Sequence, residues 1–174
     1  MATLILSVVG SDRPGLTQAL ARAVFSAGGN WLESHLSQLG GLYVGSVLVE
    51  LGADDVERLR AAVAEVDAQG LEVRIAPAIE GNGAPGEAVR FSVVGQDQPG
   101  IVHQVTSALS GIGANIEAFD TRLSTEPHSG APLFHIEARL RLPGGLHADA
   151  VQAALEAISG EIMVDIALAS SEDD

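Results

Sequence analysis

The sequence predicts an α+β protein built from two tandem βαββαβ units, each a four-stranded antiparallel sheet with two helices on one face. Three observations carry this. Residues 7–30, SVVGSDRPGLTQALARAVFSAGGN, recur as residues 92–115, SVVGQDQPGIVHQVTSALSGIGAN, at a constant offset of 85. The matches include the turn residues Gly10/Gly95, Asp12/Asp97, Pro14/Pro99, Gly15/Gly100, Gly28/Gly113 and Asn30/Asn115, for which gene duplication is the simplest source. Each copy then runs through strand-period and helix-period patterns in the same order. Finally, EGNGAPGE at 80–87 reads as a linker by composition. The expected organisation is a first unit at 1–79, a linker at 80–87, a second unit at 88–169 and an acidic tail at 170–174.

The elements follow in order. Leu4, Leu6 and Val8 alternate, as do Val89, Phe91 and Val93, and both runs are first strands. Pro14 and Pro99 suit a first helical turn, where a missing N–H costs nothing. Leu16, Leu20, Val24 and Ala27 make one helical face, repeated as Ile101, Val105, Leu109 and Ile112. Gly28 and Gly113 stop these helices. A strand pair follows at about 30–39 with 42–51, and at about 115–124 with 132–142. Phe134, Ile136, Ala138 and Leu140 point one way, and His135, Glu137, Arg139 and Arg141 the other, the pattern of a half-exposed strand. Second helices carry Val56, Leu59, Val63, Val66 and Val151, Leu155, Ile158. Closing strands carry Leu71, Val73, Ile75 and Ile162, Val164, Ile166. The order gives a ferredoxin-like sandwich. Units of this size bury a limited core, and the strand at 42–51 is apolar on both faces. Its second face, Leu42, Val44 and Leu48, calls for a partner, so the two copies are expected to dock.

Composition bounds the function. The chain has nine basic residues, all Arg, against 23 acidic ones, a net charge of −14. Such a field repels nucleic acid, which needs a basic face. The absence of Lys removes P-loop and Schiff-base chemistry. The absence of Cys removes disulfides, thiolate nucleophiles and Cys-based zinc sites. No apolar run approaches the roughly 20 residues of a membrane helix. The N-terminus has no basic region, so a cytoplasmic protein without a cleaved signal peptide is expected.

The repeated turn is the candidate site. Helix-start N–H groups are unpaired, Gly15 permits close approach to the backbone, and the dipole favours a carboxylate. Asp12 beside it suits an ammonium, and the amide of Asn30, expected at the same end of the sheet, can donate and accept. A carboxylate subsite beside an ammonium subsite is what a free α-amino acid requires. The second copy offers Gly95, Asp97, Gly100 and Asn115. The structural alternative is that Asp12 and Asp97 only cap their helices and that Asn30 and Asn115 only accommodate the backbone after glycine.

The pattern VVGSDRPGL…AGGN, repeated as VVGQDQPGI…GAN, resembles the ACT domain, a module that binds small ligands, usually amino acids, and regulates other proteins. Two such units and nothing else resemble the glycine cleavage system transcriptional repressor family, helped by Thr121-Arg122, the loop 125–132 and Leu133-Phe134. The resemblance implies a non-enzymatic regulator without cofactor, sensing an amino acid such as glycine or serine and repressing through a DNA-binding partner protein rather than by direct DNA contact. It also implies an oligomer with the effector between two units. Ligand contacts carried over are Gly10, Ser11, Asp12, Leu16, Asn30 and Gly95, Gln96, Asp97, Ile101, Asn115. Some ACT units bind nothing and only pair, which leaves a ligand-independent adaptor as the alternative.

Other features carry less. His35, His103, His128, His135 and His147 show no helical metal-pair spacing, and His35 could meet His135 only through docking. Trp31 could cover a ligand or pack against a strand. Arg13 is Gln98 in the second copy, so the two turns need not bind alike. The loop 125–132 belongs to an insertion of six residues relative to the first copy, and is either a plain connection or a partner contact or lid. No Gly-x-Ser-x-Gly elbow appears.

Overall fold

The computed structural model describes residues 1–79 and 86–158, and the backbone of 163–168. The chain divides into two compact units, Met1–Glu80 and Gly81–Asp174. The first comprises β1 (Ala2–Ser11), α1 (Leu16–Ser26), β2 (Asn30–Leu39), β3 (Leu42–Leu51), α2 (Val56–Asp67) and β4 (Leu71–Pro77). A short 3-10 turn, Ala53–Asp55, leads into α2. The second comprises β5 (Ala88–Gln96), α3 (Ile101–Gly111), β6 (Asn115–Thr125), β7 (Pro132–Arg141), α4 (Ala148–Glu156) and β8 (Met163–Leu168). Most of the linker (80–85), Ile162 and the acidic tail lie outside the described residues.

Strand order is β2-β3-β1-β4 in the first sheet and β6-β7-β5-β8 in the second. In the second sheet three long strands carry most of the pairing, and the short β8 runs beside β5 from Val89 to Val94. Every pairing is antiparallel. The helix stripes read from the sequence face the sheets. Leu16, Leu20, Val24 and Ala27 are buried with Leu6, Val47 and Val49. Ile101, Val105 and Leu109 are buried in the second unit, the last two clustering with Val93, Ile136 and Leu140. Both first helices end in a Schellman motif. Gly28 N–H donates to Phe25 O and Gly29 N–H to Val24 O, each at 2.9 Å, and Gly113 and Ala114 repeat this.

The prolines differ from expectation. The helices begin at Leu16 and Ile101, so Pro14 and Pro99 precede them. The reason is turn chemistry. Gly15 (φ 94°, ψ −8°) and Gly100 (φ 93°, ψ −1°) take the left-handed conformation of the third position of a type II turn, and proline sets the second. Ile101 N–H closes that turn on Gln98 O at 3.4 Å.

The second face of β3 stays partly open within the first unit. Val47, Val49 and Leu51 are in the core. Opposite them Val44 and Leu48 are half-buried and Leu42 is 44% exposed. They sit beside Val9 and Ile5 of β1 through the pairs Val9↔Val44 and Ile5↔Leu48. The outer face of the second sheet is charged instead, and Arg139 and Arg141 both pair with Glu117, at 3.4 and 2.9 Å.

Candidate functional site

The β1–α1 turn crosses one end of the first sheet. Gly10 is glycine for a packing reason: a Cβ there would lie 2.3 Å from the carbonyl oxygen of Gly70, where β4 begins. This close approach sets the turn against the α2–β4 connection. Between them is an open cleft of about 520 Å³ lined by Arg13, Pro14, Gly15, Leu16, Ala68, Gln69 and Gly70. Arg13 Nε donates to Ser11 Oγ at 3.0 Å, and its guanidinium lies over Gly70.

Asp12 does not cap its helix. Gly15 occupies the N-cap position and α1 has no side-chain cap, and α3 behind Gly100 is the same. The Asp12 carboxylate instead accepts from Gln38 Nε2 at 2.9 Å. Nearby, Thr17 Oγ1 and Tyr43 Oη are 2.7 Å apart. Gln38 and Tyr43 face each other across β2 and β3, and Tyr43 pairs with Gly10. Sequence reading missed Gln38, Thr17 and Tyr43. Their only signal was polarity at positions that the repeat makes apolar, because the second unit has Val102, Leu123 and Phe134 there. Among the described residues Asp97 has no side-chain amide partner of this kind. Its backbone N–H donates to Pro132 O at 3.1 Å.

Asn30 is not at this end of the sheet, which corrects the expectation. Asn30 pairs with Glu50, and Glu50 with Thr3, whereas Gly10 pairs with Tyr43. Seven residues of β1 separate the two rows, roughly 23 Å at about 3.3 Å per residue. The cause is topological: α1 returns the chain to the start of β1 before β2 sets out. Asn115 is displaced likewise, since it pairs with Arg141, opposite Ala88. Within one unit the structure brings Gly10, Ser11 and Asp12 together, and Gly95, Gln96 and Asp97, without either asparagine. Leu16 and Ile101 are core residues, 7% and 4% exposed, so their side chains serve packing. Trp31 packs against the first core.

The histidines are dispersed. His35 Nε2 is 3.0 Å from Glu33 Oε1, and His147 Nδ1 is 3.0 Å from Glu87 Oε2. Among the described residues no group of three His, Cys, Asp or Glu is arranged to hold a metal, and no helix is long and apolar enough to cross a membrane. The loop 125–132 is closed on itself. Glu126 N–H donates to Ala131 O at 2.8 Å, Gly130 N–H to Glu126 O at 3.0 Å, and Ser129 Oγ to the Glu126 carboxylate.

Two helices over a sheet of order 2-3-1-4, with the βα turn exposed at one end, define a ferredoxin-like α+β module. Residues 2–76 match the family model of the ACT domain. The protein therefore contains an ACT domain, and it forms the first unit. A crystal structure described as an unknown protein from Galdieria sulphuraria is 27% identical, with a TM-score of 0.83 over 97% of this chain and 99% of that one. A crystal structure described as a putative glycine cleavage system transcriptional repressor is 18% identical, with a TM-score of 0.68 over 97% and 98%. The second likeness is one of fold. No curated protein matches the chain.

Proposed function

We propose that the protein is a non-catalytic regulatory ACT module that works by contacting protein, either a second copy or a partner. The observation that carries this is the outer face of the first sheet, where the apolar pairs Ile5↔Leu48 and Val9↔Val44 flank the pair Ser7↔Ser46 and stay partly open, beside the exposed Leu42. Apolar side chains left partly open on a sheet face suit an interaction site. The inner faces, in contrast, are filled by the apolar stripes of the helices. A Val44→Asp, Leu48→Asp variant is expected to reduce the assembled mass in sedimentation equilibrium to that of one chain. An unchanged assembly, in a chain that still folds, would reject the reading.

The polar set at the first turn favours a second, finer reading, amino-acid sensing. Asp12 and Gln38 offer an acceptor and a donor beside uncapped helix-start amides, which suits the ammonium and carboxylate of glycine or serine. Under this reading the contacts are Gly10, Ser11 and Asp12, and Gly95, Gln96 and Asp97, with Asn30 or Asn115 supplied by a second copy of the chain. The downstream effect would be repression of glycine cleavage genes through a DNA-binding partner, an assignment that rests on sequence resemblance. The charge of −14 fits a protein partner better than direct DNA contact. Calorimetry with glycine and serine is the test. Asp12→Ala with Asp97→Ala is expected to weaken binding roughly tenfold or more, the scale of one hydrogen bond to a charged group. Equal binding by this variant, or none by the wild type, leaves the adaptor reading alone.

A further inference from the structure

The outer faces of the two sheets share one framework and carry opposite chemistry. Ile5, Leu32, Val44 and Leu48 of the first unit correspond to Arg90, Glu117, His135 and Arg139 of the second. Leu32 joins this face through a bulge. β2 shifts register between Trp31 and Glu33, as β6 does between Ile116 and Ala118, and the extra residue of a bulge is left unpaired. In the second unit that residue is Glu117, which reaches Arg139 and Arg141 on the outer face. In the first it is a leucine, 46% exposed. The second unit shows that the framework folds with charged or titratable side chains at all four positions. The fold itself therefore does not require the four apolar side chains of the first unit.

The apolar face is also symmetric. Ile5↔Leu48 and Val9↔Val44 lie to either side of Ser7↔Ser46. A two-fold axis in the plane of contact, through the serine row, stacks these apolar pairs on those of a second copy, whether it runs along the strands or across them. The small serines at the centre let two such sheets close to the roughly 10 Å spacing of a sandwich. The edges are already satisfied within the chain. On β2, His35 Nε2 lies 3.0 Å from Glu33 Oε1, and on β4 Arg74 pairs with Glu72 at 3.0 Å. An apolar centre with a polar rim is the anatomy of a specific interface. The area is sufficient too. Four strands about 4.8 Å apart and about ten residues long, at about 3.3 Å each, give a face of about 600 Å². Two such faces bury on the order of 1,200 Å², where stable interfaces begin. The outer face of the second sheet is a poor partner for this one, because Glu117, Arg139 and Arg141 would lose their water without gaining partners.

We infer that the first unit pairs, outer face on outer face, with the first unit of a second copy of the chain. This rests on the protein-contact reading above and names its partner. Such a contact uses the same surface on both copies, so assembly closes at two chains. Sedimentation equilibrium of the full chain at micromolar concentration should give the mass of a dimer. In a mixture of isotope-labelled and unlabelled chains, intermolecular nuclear Overhauser effects should connect the methyls of Ile5, Val9, Val44 and Leu48. Leu48→Arg copies the residue that the second unit carries at this position. It should raise the dissociation constant about tenfold or more, through a charge brought unpaired into an apolar contact. Ser46→Glu, which copies Glu137, should do the same without removing an apolar side chain. Trp31 fluorescence verifies that each variant folds. Arg139→Gln, on the other sheet, should leave the dimer unchanged. A monomeric wild type overturns the inference and leaves the face to a different protein. A dimer whose Overhauser effects join this face to any other surface of the chain overturns it as well, with the protein-contact reading intact. Assembly beyond two chains rejects the closed pairing. A dimer indifferent to both Leu48→Arg and Ser46→Glu rejects the inference and that reading together.

Discussion

Replacing Gly45 with alanine is expected to destabilise the first unit by ~3 kcal/mol or more, at or beyond the upper end of ordinary overpacking. Gly45 lies mid-strand in β3, between Val8 of β1 and Leu36 of β2. A Cβ there would stand 1.9 Å from the carbonyl oxygen of His35 and 2.9 Å from the Cα of Leu36, and the φ of 151° is itself unfavourable for an L side chain. Both obstructing atoms are backbone. Relief therefore requires β2 to part from β3, which breaks ladder hydrogen bonds and lifts Leu36 and Trp31 from the core. The chain has one Trp, packed against the first core, so its fluorescence in urea reports this unit. Gly40→Ala is the control. Gly40 has φ 59° with open space around it, and only the left-handed backbone cost of about 1 kcal/mol applies. Equal midpoints for the two variants would show that the β2–β3 pair has slack the structure does not reveal.

The second large effect is Leu20→Ala, with an expected loss of ~2–5 kcal/mol. Leu20 is fully buried at the centre of α1 and packs in the core shared with Leu6, Val24, Val47 and Leu59. Its counterpart by the repeat is Val105, also fully buried. Truncating Val105 removes one carbon fewer, so its loss should be about 0.8 kcal/mol smaller. The Trp31 signal should move with Leu20→Ala. If neither variant shifts its unit's unfolding, the helices are not held by these stripes.

Much of the fold was legible because the repeat applied two periodicities twice. Leu4, Leu6 and Val8 fixed a strand, Leu16, Leu20 and Val24 a helix, and both reappear 85 residues on. The polar face of β7 was readable for the same reason. Pro14 was misplaced because a proline before a helix is compatible with two geometries. Only the φ of Gly15 separates a type II turn from a first helical turn. The site was less legible. Asp12 and Gln38 are 26 residues apart, and so are Thr17 and Tyr43. Their meeting depends on hairpin register and on which way each strand runs. The same ignorance of direction put Asn30 beside Asp12. Adjacency in the chain, through Gly28 and Gly29, says nothing of which end of the sheet a helix returns to.

The two rows of β1, with Asp12 at one end and Asn30 opposite Thr3 at the other, have a consequence for any effector. A molecule small enough to be an amino acid cannot span ~23 Å, so a pocket using both Asp12 and Asn30 must draw them from two copies of the chain. Occupancy and assembly then share one free energy. Dilution would act as an antagonist, since each halving of chain concentration would lower the fraction of completed pockets at fixed effector. A cell could tune such a response through expression level alone, without changing a single contact.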